Sequence, residues 1–312
     1  MPWKAGYTIS DERALADADI RWPDANRCYF GVTIDLAPAC GPGGITPDDL
    51  RTPASYYAMH GGLDALRGLL HRHGIRATFA VPGYVAALYP ETIRALHDEG
   101  HEIAAHGLAH EDVSVLDRDE ELDRLRRTTS HIADATGERP SGWYSLPRPS
   151  DKYAVGSISS STVQLLLDEG YDYLGNSPAD DRPHYWVTDF DARRSILAMP
   201  YYYHFDDQFF LLFPARGTGL EHADALERNW RAELNAQYRR GLSFTMTLHP
   251  HAIAWPNRLQ MLERTLSLAD SLPGLWNATS RECAQHWLKN YPADRALQLE
   301  PSIWTDYDDS LN

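Results

Sequence analysis

HEIAAHGLAHED, residues 101–112, decides how this chain is read. A short apolar run, EIAAH at 102–106, ends on a histidine, and a glycine and a second histidine follow within four positions. Such a run, bounded by turn residues, reads as a strand, and barrel enzymes hold their reactive side chains at the C-terminal ends of strands. If the residues after His106 turn helically, positions i and i+4 share a face. The imidazoles of His106 and His110 would then grip one ion or one substrate group. Alone the pair is a weak signal in a chain with 14 histidines, where two half-exposed surface histidines are the plain alternative.

Working outward, ATFAVP at 77–82 precedes a helix over about 90–98. Upstream of both, CYFGVTI at 28–34 leads to a helix over roughly 54–73. Downstream come a charged helix near 118–136, a helix around 160–169 leading to YDYLG, the strand SILAMP at 195–200 and SFTMTLHP at 243–250. A helix near 257–271, then GLWNAT and a helix to about 290, complete the series. Seven or so βα units suit an α/β barrel better than an open doubly wound sheet. Gly and Pro are scattered as turn punctuation and no repeat is visible, so one catalytic domain is expected over 1–312. It would carry an N-terminal extension to about residue 25 and an acidic tail over about 292–312. That tail holds Trp304 and Tyr307, and either packs on a neighbouring subunit or frays.

Other strand ends carry chemistry of the same kind. Asp35 closes GVTID before a Pro/Gly-rich loop, where a carboxylate binds metal, acts as a general base or simply caps the loop. His249 closes SFTMTLH, where a second acid/base group would protonate a departing nitrogen; a satisfied structural histidine is the alternative. In RPSGWYSLPRPS, Trp143 and Tyr144 form an aromatic shelf that walls a pocket or packs in the core. PADDRPHYW and PYYYHFDDQFF place Asp180, Asp181, Asp206 and Asp207 in expected loops. Solvated carboxylates are the default there, with Asp207 the one set against substrate.

Composition bounds the partners. With 312 residues and 43% hydrophobic content a large buried core is available, and a net charge of −15 argues against a nucleic-acid backbone as partner. Three widely spaced cysteines, Cys28, Cys40 and Cys283, suggest neither a disulfide framework nor a thiolate zinc site. The acidic opening MPWKAGYTISDERALADADIRW does not read as a secretory signal, and no run approaches the ~20 apolar residues of a membrane span. The expectation is a cytoplasmic enzyme with a small soluble substrate and neither nucleic acid nor membrane as partner, and with a homo-oligomer left open beside the monomer.

In order and spacing these motifs resemble the polysaccharide deacetylase superfamily, and within it the allantoinase-like and cyclic-imidase-like branch together with related peptidoglycan deacetylases. The strings that carry the resemblance are RWPDANRCYFGVTID, HGIRATFAVPG, HEIAAHGLAHED, RPSGWYSLP, STVQLLLDEGYDYLGNSPADDRP, MPYYYHFDDQFF, TLHPH and LWNATSRECAQHW. The resemblance implies a distorted (β/α)7 barrel, hydrolysis of an amide-type bond and His249 as the acid-side histidine. The sugar-acting members usually carry T-F-D-D, with the second Asp as metal ligand. Here T-I-D-L puts Leu36 in that place, or Ala37 one position on, and Tyr144 stands where an Arg usually orients the base. Two imidazoles bind a divalent ion poorly, so Asp35 would complete a zinc-like site with His106 and His110. Without metal, the histidines would touch the carbonyl directly and Asp35 would be the base. The substrate classes this leaves are a small cyclic imide, ureide or amide, and the N-acetyl group of an amino sugar or other metabolite. A catalytically silent binding barrel is the rival from another class.

Overall fold

The computed structural model describes residues 15–37, 44–145, 158–177, 180–189, 192, 194–202, 205–211 and 222–296. Cys40, Trp304, Tyr307 and most of both expected terminal extensions lie outside the described residues. Among the described residues nine strands form one sheet: β1 Cys28–Asp35, β2 Thr78–Val81, β3 Glu102–Ala105, β4 Gly142–Trp143, β5 Tyr173–Ser177, β6 His184–Asp189, β7 Arg194–Pro200, β8 Ser243–Leu248 and β9 Leu275–Asn277. Their order is β6-β7-β5-β4-β3-β2-β1-β8, with β9 on β1. All pairings are parallel except β6–β7.

This is the expected (β/α)-barrel type, distorted in that the sheet is not closed. Among the described residues no ladder joins β7 to β8. The seam between them carries an isolated parallel bridge, Asp206 to Thr247, and a 3.0 Å hydrogen bond from Thr245 Oγ1 to the Pro200 carbonyl. Two elements add to the expected alternation. His184–Asp189 turns back as an antiparallel partner of β7, and helix Ala223–Arg240 packs Leu226, Trp230 and Leu234 onto the sheet at the 3–4-residue spacing of an amphipathic helix. No helix among the described residues is long and apolar enough to cross a membrane.

The strands are buried on both faces, and their alternation sets the site. On β1, Phe30, Val32, Ile34 and Leu36 join the layer beneath the helices, while Tyr29 belongs to a second apolar cluster inside the barrel, leaving Gly31, Thr33 and Asp35 on the interior parity. Ile103 and Ala105 face the helices, so Glu102, Ala104 and His106 take the interior. Phe244, Met246 and Leu248 do the same for β8 and leave His249 inside. Leu36 is thus a core residue under the helices.

The interior is filled by tyrosines lying over glycines. Tyr144 covers Gly175 and Tyr173 covers Gly142: a Cβ on Gly175 would sit 2.3 Å from Tyr144 Cζ, and one on Gly142 2.0 Å from Tyr173 Cζ. Tyr144 cannot yield, because its hydroxyl bonds Ser280 Oγ at 2.9 Å. Gly175→Ala is therefore expected to cost about 3 kcal/mol by overpacking. Gly68→Ala, on a helix face with only Arg72 Nη1 at 3.7 Å, should stabilise by up to about 1 kcal/mol. Urea unfolding of the two variants checks both signs.

A second expected result concerns acid stability. His184 on β6 is buried, donates from Nδ1 to the Arg182 carbonyl at 3.0 Å and accepts the Ser177 hydroxyl at Nε2, 2.9 Å. Burial pushes its pKa from 6.5 down to about 4. The unfolded chain thus takes up this proton near pH 6.5 and the folded chain only near pH 4. The stability is fully present above pH 6.5 and is lost as pH falls through that window, by up to about 3 kcal/mol. Denaturation at pH 7, 5.5 and 4.5 should show a shallower decline for His184→Gln than for wild type; equal slopes would remove His184 as the cause.

Candidate active site

Asp35, His106, His110 and His249 converge at the C-terminal ends of β1, β3 and β8; β8 pairs with β1, and β2 lies between β1 and β3. Asp35 Oδ2 lies 3.1 Å from His106 Nε2, 3.3 Å from His110 Nε2 and 3.2 Å from His249 Nε2. The two paired imidazoles stand nearly perpendicular, their Nε2 atoms 3.0 Å apart. All four residues are buried.

The turn that brings His110 back is not helical. Gly107 and His110 both adopt left-handed backbone, at φ +72° and +59°, and the Glu111 carboxylate accepts the Ala109 and Leu108 amides, at 2.5 and 3.3 Å. A non-glycine residue at positive φ costs on the order of 1 kcal/mol. Glu111, itself 3.5 Å from Arg124, ties the strained turn down.

His106 Nδ1 donates to the Tyr144 carbonyl at 3.0 Å, so its Nε2 presents a lone pair. That lone pair faces the Asp35 carboxylate oxygen and the His110 Nε2, a set of three atoms that a shared cation would satisfy together. Ligands on 2.0–2.1 Å bonds at tetrahedral angles stand about 3.3 Å apart, close to the spacing found for Asp35 Oδ2, His106 Nε2 and His110 Nε2. Asp35 Oδ1, buried and without a hydrogen-bond partner, leaves a second carboxylate atom for the same ion. The residues fit a divalent metal.

His249 is mounted differently. Asp207 takes its Nδ1–H at 2.7 Å and its backbone amide at 3.1 Å on each carboxylate oxygen. Asp206 Oδ1 is 3.6 Å from the same Nδ1, and its carboxylate is fixed by the Tyr201 hydroxyl at 2.8 Å and the Gln208 amide at 2.9 Å. Burial opposes a charge on His249, but Asp206, Asp35 and Asp207 together outweigh it and push its pKa well above the usual histidine value. Burial also opposes the Asp35 carboxylate, which His106, His110 and His249 nevertheless hold well below the usual range. Asp206, Asp207 and His249 also cluster as candidate ligands, but their facing atoms are engaged in this mount.

Several expectations are corrected here. Asp207 is fully buried behind His249 rather than set against substrate, and neither it nor Asp206 is a solvated loop carboxylate. Asp181 also has partners, Gln237 and Arg240. Trp143 does not wall the site: on the outward parity of β4 it packs edge-on against Tyr171 in the core. Tyr144 does line the cavity, with Asp35, His106, Asn176, Tyr201 and Asp206. The sequence reading missed Tyr201 and Asn176. Tyr201 follows β7 on the interior parity; Asn176, which brackets Ser145 through two backbone hydrogen bonds, had no signal beyond its place at the end of β5.

Residues 45–174 match the family Polysaccharide deacetylase. A peptidoglycan deacetylase of Helicobacter pylori is 26% identical over 292 residues, 84% of this chain and 96% of that protein. A crystal structure of the polysaccharide deacetylase type from Mycobacterium smegmatis superposes with a TM-score of 0.74 at 27% identity, over 93% of this chain and all of that one. An allantoinase structure gives 0.75 at 20% identity, over 90% and 95%, a likeness of fold. Likeness of this extent relates the chain to the deacetylases and gives it their fold. More particularly, the likeness to a polysaccharide deacetylase domain runs over residues 45–174, which hold His106, His110 and Tyr144.

Proposed function

We propose that the chain is a metal-dependent amide hydrolase that removes the acetyl group from an N-acetylated amino sugar, with Asp35, His106 and His110 as ligands and His249 as proton donor. The observation that carries the reading is the ligand-like spacing of those three residues with His249 Nε2 3.2 Å from Asp35 Oδ2. A bound divalent ion would polarise the amide carbonyl and favour attack by water. His249, held charged by its carboxylates, gives its Nε2 proton to the departing nitrogen and is recharged by the proton that the attacking water releases, and the Tyr144 carbonyl keeps His106 in the tautomer that binds. The deacetylase name of the Helicobacter pylori relative supports the substrate class.

A second reading is hydrolysis of a cyclic imide or ureide in a small soluble substrate by the same residues. The cavity beside Asp35 and His106 measures about 20 Å³ among the described residues, room for the attacking water. Elemental analysis, paired with assays of N-acetyl sugars, ureides and cyclic imides before and after chelation, separates the two. About one ion per chain and chelator-sensitive acetate release are expected. Metal-free protein that opens ureide rings regardless of chelator would overturn the first reading and return Asp35 to the role of base.

A further inference from the structure

The sheet is open between β7 and β8, and His249 is mounted across that opening. The ladder of β8 with β1 sets where its backbone stands: Leu248 pairs with Ile34, and His249 and Asp35 each come one residue later. The carboxylates that orient its ring arrive from the other side. Asp206 and Asp207 follow β7, whose own ladders run to β5 and β6, and the backbones of the two sides meet at the isolated bridge of Asp206 with Thr247. The aim of the imidazole therefore depends on a junction that the sheet does not brace.

Tyr201 braces it from the β7 side. Its backbone amide donates to the Ser177 carbonyl at 2.9 Å, continuing the β5–β7 pairing beyond Pro200. Leu197 and Met199 belong to the interior cluster, and Tyr201 shares their parity, so its ring enters the barrel and lines the cavity with Asp35 and His106. From there the hydroxyl donates to Asp206 Oδ2 at 2.8 Å. Asp206 Oδ1 accepts the Gln208 amide at 2.9 Å and stands 3.6 Å from His249 Nδ1. One carboxylate oxygen is thus tied to β7 and the other is turned to the imidazole, with both residues buried. A buried carboxylate that loses a donor shifts to find another, and the oxygen facing His249 would move with it.

We propose that Tyr201 is a positioning residue: through Asp206 it holds the His249 ring in line with the departing nitrogen and locks the seam that the sheet leaves open. This rests on the reading of His249 as proton donor. Leaving groups supply the test. The nitrogen of an N-acetyl sugar or of a ureide departs with a proton, whereas the phenolate of 4-nitrophenyl acetate departs without one. Rates are measured on 4-nitrophenyl acetate and on N-acetylglucosamine or hydantoin, whichever wild type turns over. Tyr201→Phe should lower kcat on the nitrogen substrate about tenfold, with KM, metal content and the ester rate unchanged. Combined with Asp206→Asn it should be no slower than the slower single variant, because both changes break one connection. Thr245→Val removes the other seam hydrogen bond, to the Pro200 carbonyl, and should leave the nitrogen-to-ester ratio as it is, which separates positioning from general loosening. Equal losses on both substrates overturn the proposal and place the Tyr201 hydroxyl on the reacting carbonyl or its water. So does no loss on either. A nitrogen-selective loss in His249→Gln without one in Tyr201→Phe refutes the proposal alone. Equal losses on both substrates in His249→Gln refute the proton-donor reading beneath it.

Discussion

Replacing Asp35 with Asn is expected to strip the bound ion and to lower kcat/KM by a factor on the order of 10³. The substitution keeps the shape of the side chain and removes its charge, so packing against the β1 neighbours is preserved and the thermal midpoint should hold. What changes is the centre of the cluster. Oδ2 is the atom on which three Nε2 atoms converge at 3.1–3.3 Å, and Oδ1 is the buried oxygen with no other partner. An amide there offers a weaker neutral oxygen and turns an N–H donor toward whatever stands at the other position. Elemental analysis and acetate release report the two losses independently. A fully loaded but inactive variant would make Asp35 the base and not a ligand. A fully active one would remove it from the site.

Replacing His249 with Gln is expected to lower kcat by roughly 10² to 10⁴ while the ion stays bound. The ligand set does not include His249, whose Nδ1 side belongs to Asp207 and Asp206 and whose Nε2 alone faces Asp35. Gln fills the space but cannot carry a transferable proton. Asp207→Asn tests the mount: the amide keeps an oxygen for Nδ1–H but removes the negative charge beside it and puts an NH2 donor where the second carboxylate oxygen accepted the His249 backbone N–H, so a loss of about 10- to 100-fold is expected. The measurements are steady-state rates beside metal content. Unimpaired turnover in the His249 variant would refute the proton-donor role.

Much of this site is legible from strand ends. Asp35, His106 and His249 each terminate a short apolar run, and the period-2 alternation that buries Phe30, Val32 and Ile34 under the helices sends Asp35 inward. The same rule applied to GWY would have separated Trp143 from Tyr144, since adjacent residues of a strand face opposite sides. The acids after β7 misled for a different reason. A Tyr/Asp-rich run reads as solvated until tertiary structure supplies His249 for Asp207 and Tyr201 for Asp206. His110 converges through left-handed backbone at a residue other than glycine, a strain that no local preference announces.

The first strand pairs both near and far in sequence. β1 lies between β2 and β8, and its pairing with Ser243–Leu248 joins residues more than 200 positions apart. Contacts of such separation form only after a large loss of chain entropy, which slows folding and ties completion of the fold to the far end of the sequence. During synthesis, a chain released before residue 243 would hold Asp35, His106 and His110 but would lack the β8 edge that seats His249 beside them. The proton donor and the ligand set therefore meet only when the barrel's long-range pairing is made, and an unfinished chain is chemically silent by construction.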